Sequence, residues 1–183
     1  MDKPNYFVVT GGPGAGKSSV IEALHKQGYS VVEEAARNII QQQKIQGGNA
    51  TQTGDRLAFC RLLLEQYTKD FLYHDSLHEL VFFDRGLPGL LAYRSIADSQ
   101  EWQSTLSKIA KCVEKYRYNP KVFIFPPWED IYTQDEERVH TFEQSVDAYY
   151  LLKNAYQSSG YELCEVPKLP VEERIRFLLA NIK

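Results

Sequence analysis

The segment Gly-Gly-Pro-Gly-Ala-Gly-Lys-Ser, at Gly11 to Ser18, constrains this chain more than any other stretch of it. It follows a short β-rich apolar run, Tyr6 to Thr10, and opens a segment with a helical pattern from about Lys17 to Gln27. A strand, then G-x-x-x-x-G-K-S, then a helix is the context in which such a loop binds phosphate. Glycines let the backbone turn tightly and leave its amides facing an anion, and the helix amino terminus adds a favourable field. The expected cradle is Gly11, Gly12, Pro13, Gly14, Ala15, Gly16, Lys17, Ser18 and Ser19. Within it Lys17 reaches the β- and γ-phosphates of a nucleoside triphosphate and the Ser18 hydroxyl ligates magnesium. A dinucleotide-binding turn fits worse, because a G-x-G-x-x-G spacing begun at Gly12 ends on Lys17.

The rest of the chain alternates strand and helix patterns. Further strands are expected at Tyr29 to Val32, Leu80 to Phe83, Lys121 to Phe125 and Tyr161 to Val166. Helices are expected at Ala35 to Gln43, Asp55 to His74, from the turn at Arg85 to Pro88 on to about Tyr118, Arg138 to Ser158, and Val171 to Ala180. In the helix ending at Ser158, the residues Phe142, Val146, Tyr149, Leu152 and Tyr156 form the apolar stripe. Such alternation predicts an α/β fold, a parallel sheet covered on both faces, in one domain over residues 1–183.

Chemistry-bearing residues gather at expected carboxyl ends of strands, where open α/β sheets bind ligands. Leu80 to Phe83 lead into Asp84, a Walker-B-like pattern whose carboxylate holds magnesium beside the loop; Arg85 follows, suited to a phosphate or the acceptor. The competing reading is a helix-capping Asp84 with a surface Arg85. Glu33 and Glu34 end the second strand, where a carboxylate accepts a hydroxyl proton or orients an acceptor. Alternation turns one of the two to the cleft without deciding which; Glu34 lies nearer the helix start, and its rival role is a pair with Arg37. Trp128 to Phe142 reads as a lid, with Arg138 its candidate catalytic cation. Pro167 and Lys168, in the loop after the last strand, are the candidate edge for the nucleotide base.

Lys and Arg total 21 against 24 Asp and Glu in 183 residues, so the formal charge is -3 and no nucleic-acid partner is expected. Cys60, Cys112 and Cys164 lie far apart, and neither they nor the four histidines show a metal-ligand spacing. No long apolar run precedes the first glycines, so neither a signal peptide nor a membrane span is expected, and a cytoplasmic protein is.

The runs FVVTGGPGAGKSSVIEALHKQGYSVVEEAAR, FFDRG, DEERVHTFEQSVDAYYLLKNAY and VPKLPVEERIRFLL resemble the AAA_28 family of P-loop proteins over nearly the whole chain. Members of that family resemble small nucleoside and nucleotide kinases, including the nicotinamide riboside kinase domain. The resemblance implies a three-layer P-loop fold with a five-stranded parallel sheet in the order 2-3-1-4-5. It places Glu33 or Glu34 as the base, Asp84 with Arg85 as the acidic-Arg pair, and Arg138 as the lid arginine. AAA motors differ, having a second small helical domain and an acidic residue where Arg85 stands. The expected activity is transfer of the ATP γ-phosphoryl group to a small metabolite such as a nucleoside or nucleotide, with Mg2+. The alternative is a slow NTPase or nucleotide-dependent switch, using ATP or GTP, that acts on a protein or lipid; no N-K-x-D signature supports guanine. Acceptor and oligomeric state stay open.

Overall fold

A computed structural model describes residues 1–73, 79–96, 99–132 and 141–182. Five strands, β1 (Tyr6–Gly11), β2 (Ser30–Val32), β3 (Val81–Asp84), β4 (Lys121–Phe125) and β5 (Glu162–Glu165), form one sheet in the order β2-β3-β1-β4-β5. Every pairing is parallel. Parallel neighbours need long crossovers, and these are the helices α1 (Lys17–Lys26), α2 (Ala35–Gln46), α3 (Arg56–Tyr73), α4 (Gln100–Lys115) and α5 (Phe142–Ser158), with α6 (Val171–Ala180) closing the chain. The order 2-3-1-4-5 and the three-layer α/β class are those the resemblance implies.

Side-chain alternation along the inner strands builds two cores. Phe7, Val9, Phe82, Phe123 and Phe125 point to one face, where Val20, Ile21 and Leu24 of α1 and Ile175 and Leu178 of α6 cover them. Tyr6, Val8, Val81, Phe83 and Val122 point to the other, under Ile39 of α2, Phe59, Leu63 and Phe71 of α3, Ile109 of α4 and Tyr156 of α5. The inner strands therefore read as unbroken apolar runs, as a sheet buried on both faces requires. Edge-to-face packing of Tyr6 on Phe71, and of Phe83 on Tyr118, fills the second core.

Local differences from the sequence expectation have local causes. The segment after β3 winds as 3-10 turns over Leu87–Ile96 before α4 begins, with Ser99 as its cap. Helix α5 starts at Phe142, where Thr141 is extended and caps it; the expected start at about Arg138 lies outside the described residues. The Thr141 hydroxyl accepts from the Gln144 amide at 3.2 Å, and the Gln144 side chain accepts from the Thr141 amide at 2.8 Å. This reciprocal box satisfies two helix-end donors. Of the expected stripe Tyr149, Leu152 and Tyr156 are buried and Phe142 and Val146 only half-buried, while Ser145 and Ala155 are buried as well. No helix among the described residues is long and apolar enough to cross a membrane.

Candidate active site

The chain leaves β1 at Gly11 and enters α1 at Lys17 through left-handed backbone at Gly14, with φ 73°, and at Gly16, with φ 77°. Those angles favour glycine. Gly16 caps α1 without a side-chain hydrogen bond, so the loop supplies no side-chain acceptor of its own to the first turn. Unsatisfied amides at a helix start bind anions. Lys17 is buried, 6% exposed, and its Nζ donates to the Gly12 carbonyl at 2.8 Å. Ala15 packs into the core under α1 and α6, whereas Ser18 and Ser19 are exposed on the first turn.

Two neighbours press on the loop from outside. Ser145 of α5 donates its hydroxyl to the Pro13 carbonyl at 2.5 Å. The ring of Tyr132 lies over Gly14, where an added Cβ would fall 2.5 Å from the ring Cδ2. Neither residue stands out by motif. The available signal for Ser145 was its place four residues before Tyr149 on the α5 stripe, a small polar side chain on a buried face.

Beside the loop stands an ionic group from two strand ends. Asp84 closes β3 opposite Val9 of β1 and is 5% exposed. Arg85 follows with φ 72°, a left-handed conformation that non-glycine residues seldom adopt, held by its amide bond to the Val9 carbonyl at 2.9 Å. That turn sends its Nε to the Glu34 carboxylate at 2.6 Å. Glu34 stands just ahead of α2, while Glu33 is exposed. The partner found for Glu34 is thus Arg85, with Arg37 contributing only to the surrounding field.

Burial favours the neutral form of Glu34, yet Arg85, Lys17 and Arg37 together hold its pKa below the ordinary carboxylate value. Asp84 goes the other way: burial, and then the charge of Glu34, raise it against the pull of Lys17 and Arg85. Burial also works against the Arg85 cation, but Glu34 and Asp84 more than offset that. The two carboxylates are thus driven apart, the Glu34 pKa held down by its cations and that of Asp84 pushed up by burial and by Glu34. Asp84 Oδ1 is buried with no hydrogen-bond partner among the described residues. A carboxylate oxygen at the end of β3 and an exposed serine hydroxyl on the first turn of α1 are hard-oxygen donors of the kind that suits magnesium.

The remaining sequence-derived candidates are placed as follows. Pro167 and Lys168 follow β5, two strands from the loop; Pro167 is half-buried and Lys168 exposed. Arg138 lies outside the described residues. A family model described as an AAA domain, AAA_28, matches residues 6–174. The chain belongs to the AAA_28 family. No curated protein matches this AAA_28 chain. Among solved structures, a deoxyadenosine kinase from M. mycoides, with products dCMP and dCDP bound, is 16% identical at TM-score 0.67, covering 97% of this chain and 98% of that one. The NadR protein in complex with NR is 14% identical at TM-score 0.71, over 96% of this chain and 49% of that one. The YorR protein from Bacillus subtilis, in complex with phosphorylated GDP, is 14% identical at TM-score 0.55, over 96% and 94%. At these identities the likeness is one of fold.

Proposed function

We propose that this AAA_28 chain is an ATP- and Mg2+-dependent phosphotransferase that moves the γ-phosphoryl group to a hydroxyl of a small metabolite, a nucleoside, nucleotide or related molecule. The observation that carries the reading is the Glu34–Arg85 pair standing with Asp84 beside the phosphate loop. A loop with one metal-side carboxylate is enough for hydrolysis. A second carboxylate, held by its own arginine on the neighbouring strand end, is what an acceptor hydroxyl needs.

The roles follow from position. The loop from Gly11 to Ser19 wraps the polyphosphate with its amides, and Lys17 leaves the Gly12 carbonyl to meet the β- and γ-oxygens. Ser18 and Asp84 hold magnesium, which when bound neutralises phosphate charge. Glu34 orients the acceptor hydroxyl in line with the γ-phosphorus. As the new P–O bond forms and the bond to the β-phosphate oxygen breaks, the hydroxyl proton passes to the Glu34 carboxylate. Arg85 fixes that carboxylate by a charge-assisted hydrogen bond. Arg138 supplies further positive charge over the leaving group, and Pro167 with Lys168 borders the base. The chain acts as a single domain over residues 1–183, in the cytoplasm.

The experiment is phosphoryl transfer from ATP labelled at the γ position, screened over nucleosides, nucleotides and sugars with magnesium present. A labelled acceptor supports the proposal. Phosphate release that no acceptor changes, with no labelled product, overturns it in favour of a slow NTPase or nucleotide switch.

A further inference from the structure

Arg174 lies on α6, in a stripe that is otherwise apolar: Val171, Ile175 and Leu178 share its face. It is 5% exposed, although a charged residue is almost never buried without a partner. Its NH1 donates to the Gly16 carbonyl at 3.2 Å. Its guanidinium lies 5.5 Å from the ring centre of Trp128 and 5.8 Å from that of Phe125, within cation–π range of both. Among the described residues its buried Nε has no hydrogen-bond partner and no carboxylate stands within ion-pairing distance of it. Two aromatic faces and one carbonyl thus hold this positive charge in place; among the described residues no carboxylate pairs with it directly, and Glu172 acts on it only through its field.

The contact with Gly16 says what that charge is for. In a trans peptide the carbonyl and the amide of the next residue point in opposite directions. Drawing the Gly16 carbonyl outward to Arg174 therefore aims the Lys17 amide inward, toward the concave side of the loop. The same hydrogen bond polarises that peptide, so its amide becomes a stronger donor to an anion. A Cβ on Gly16 would stand 2.6 Å from NH1 of Arg174 and 2.9 Å from Cδ1 of Ile131, and the φ of 77° there favours glycine in its own right.

We propose that Arg174 is a positioning residue for the polyphosphate, aiming the Lys17 amide through Gly16 and supplying a buried cation that the bound phosphates neutralise. This rests on the reading of the Gly11–Ser18 loop as a nucleotide site. Charged hydrogen bonds of this kind change affinity by about 10- to 100-fold. The test uses the full chain as wild type, Arg174→Met and Arg174→Lys, titrated by calorimetry with Mg·ATP and with magnesium tripolyphosphate, which has no base or sugar. Melting temperatures are read alongside. The Met variant is expected to lose about 10- to 100-fold toward both ligands in parallel, and the Lys variant to recover part of that loss. Should the Met variant fail to fold, Arg174→Gln carries the test: it removes the charge while offering an amide donor to Gly16, so a parallel loss toward both ligands is expected, smaller than that of the Met variant. Equal affinity of variant and wild type overturns the inference and leaves the nucleotide site standing. Loss toward ATP alone overturns it too, since the side chain would then serve the base. A wild type that binds neither ligand overturns both readings.

Discussion

Replacing Glu34 with glutamine separates catalysis from scaffolding at this site. The substitution keeps the shape of the side chain and removes the charge that faces Arg85 at 2.6 Å. Breaking a buried ion pair by removing one partner costs about 3–5 kcal/mol. Here the two side chains are 20% and 22% exposed, and Asp84 remains as a second anion for Arg85, so the loss falls to about 1–3 kcal/mol, that of a charge-assisted hydrogen bond. In a domain of this size that is a fall in melting temperature of a few degrees to about 10 °C. Turnover, by contrast, falls roughly 100- to 10,000-fold when the group that orients the acceptor and takes its proton is lost. ATP affinity is expected to stay within a few-fold, because in the proposed reading Glu34 serves the acceptor hydroxyl while the loop amides and Lys17 hold the phosphates. The assay is turnover at saturating ATP and magnesium with the acceptor found by the transfer screen, for Glu34→Gln and for Glu33→Gln. The exposed Glu33 gives the baseline, with unchanged stability and rate. Full turnover in both variants refutes the assignment of the strand-two carboxylate, whatever happens to stability.

Lys17→Ala is expected to weaken Mg·ATP binding by at least about tenfold, the loss of one charged contact, at unchanged fold; equal affinity by calorimetry removes the role of Lys17. Asp84→Asn lowers magnesium-dependent nucleotide binding and turnover together, so a variant that keeps tight Mg·ATP binding refutes the metal role of this carboxylate. Gly14→Ala meets the Tyr132 ring and an unfavourable left-handed φ of 73°, the latter alone worth about 1–2 kcal/mol. A lower melting point is expected, together with weaker nucleotide binding, and a variant that matches wild type in both shows that Tyr132 moves aside freely.

The layout of the fold was legible because each inner strand is short, apolar on both faces and followed by a helical period. The Phe7/Val8 and Phe82/Phe83 alternations carry no polar residue to disguise them. The order of the strands was not in the periodicity and came only with the family resemblance. Lys17 and Asp84 could be named from motif and strand-end position. The choice between Glu33 and Glu34 could not, because it depends on the left-handed turn at Arg85, and a positive φ on an arginine leaves no trace in sequence. Ser145, Tyr132 and Arg174 were missed for a related reason. Each meets the loop from an element far along the chain, and only packing brings them there. Arg174 did leave one sign, a lone cation in the apolar stripe of α6.

The backbone at Arg85 bears on how this protein should be engineered. A search for stabilising substitutions scans for non-glycine residues in left-handed turns and replaces them with glycine, a change that commonly relieves about 1 kcal/mol of strain. Arg85 is the residue such a scan returns among the described positions. Glycine would relax the turn, strip Glu34 of the Arg85 donor and leave the charges of Glu34 and Asp84 to repel each other with one cation fewer. A design rule that reads only backbone angles would thus remove the guanidinium for which the turn is bent.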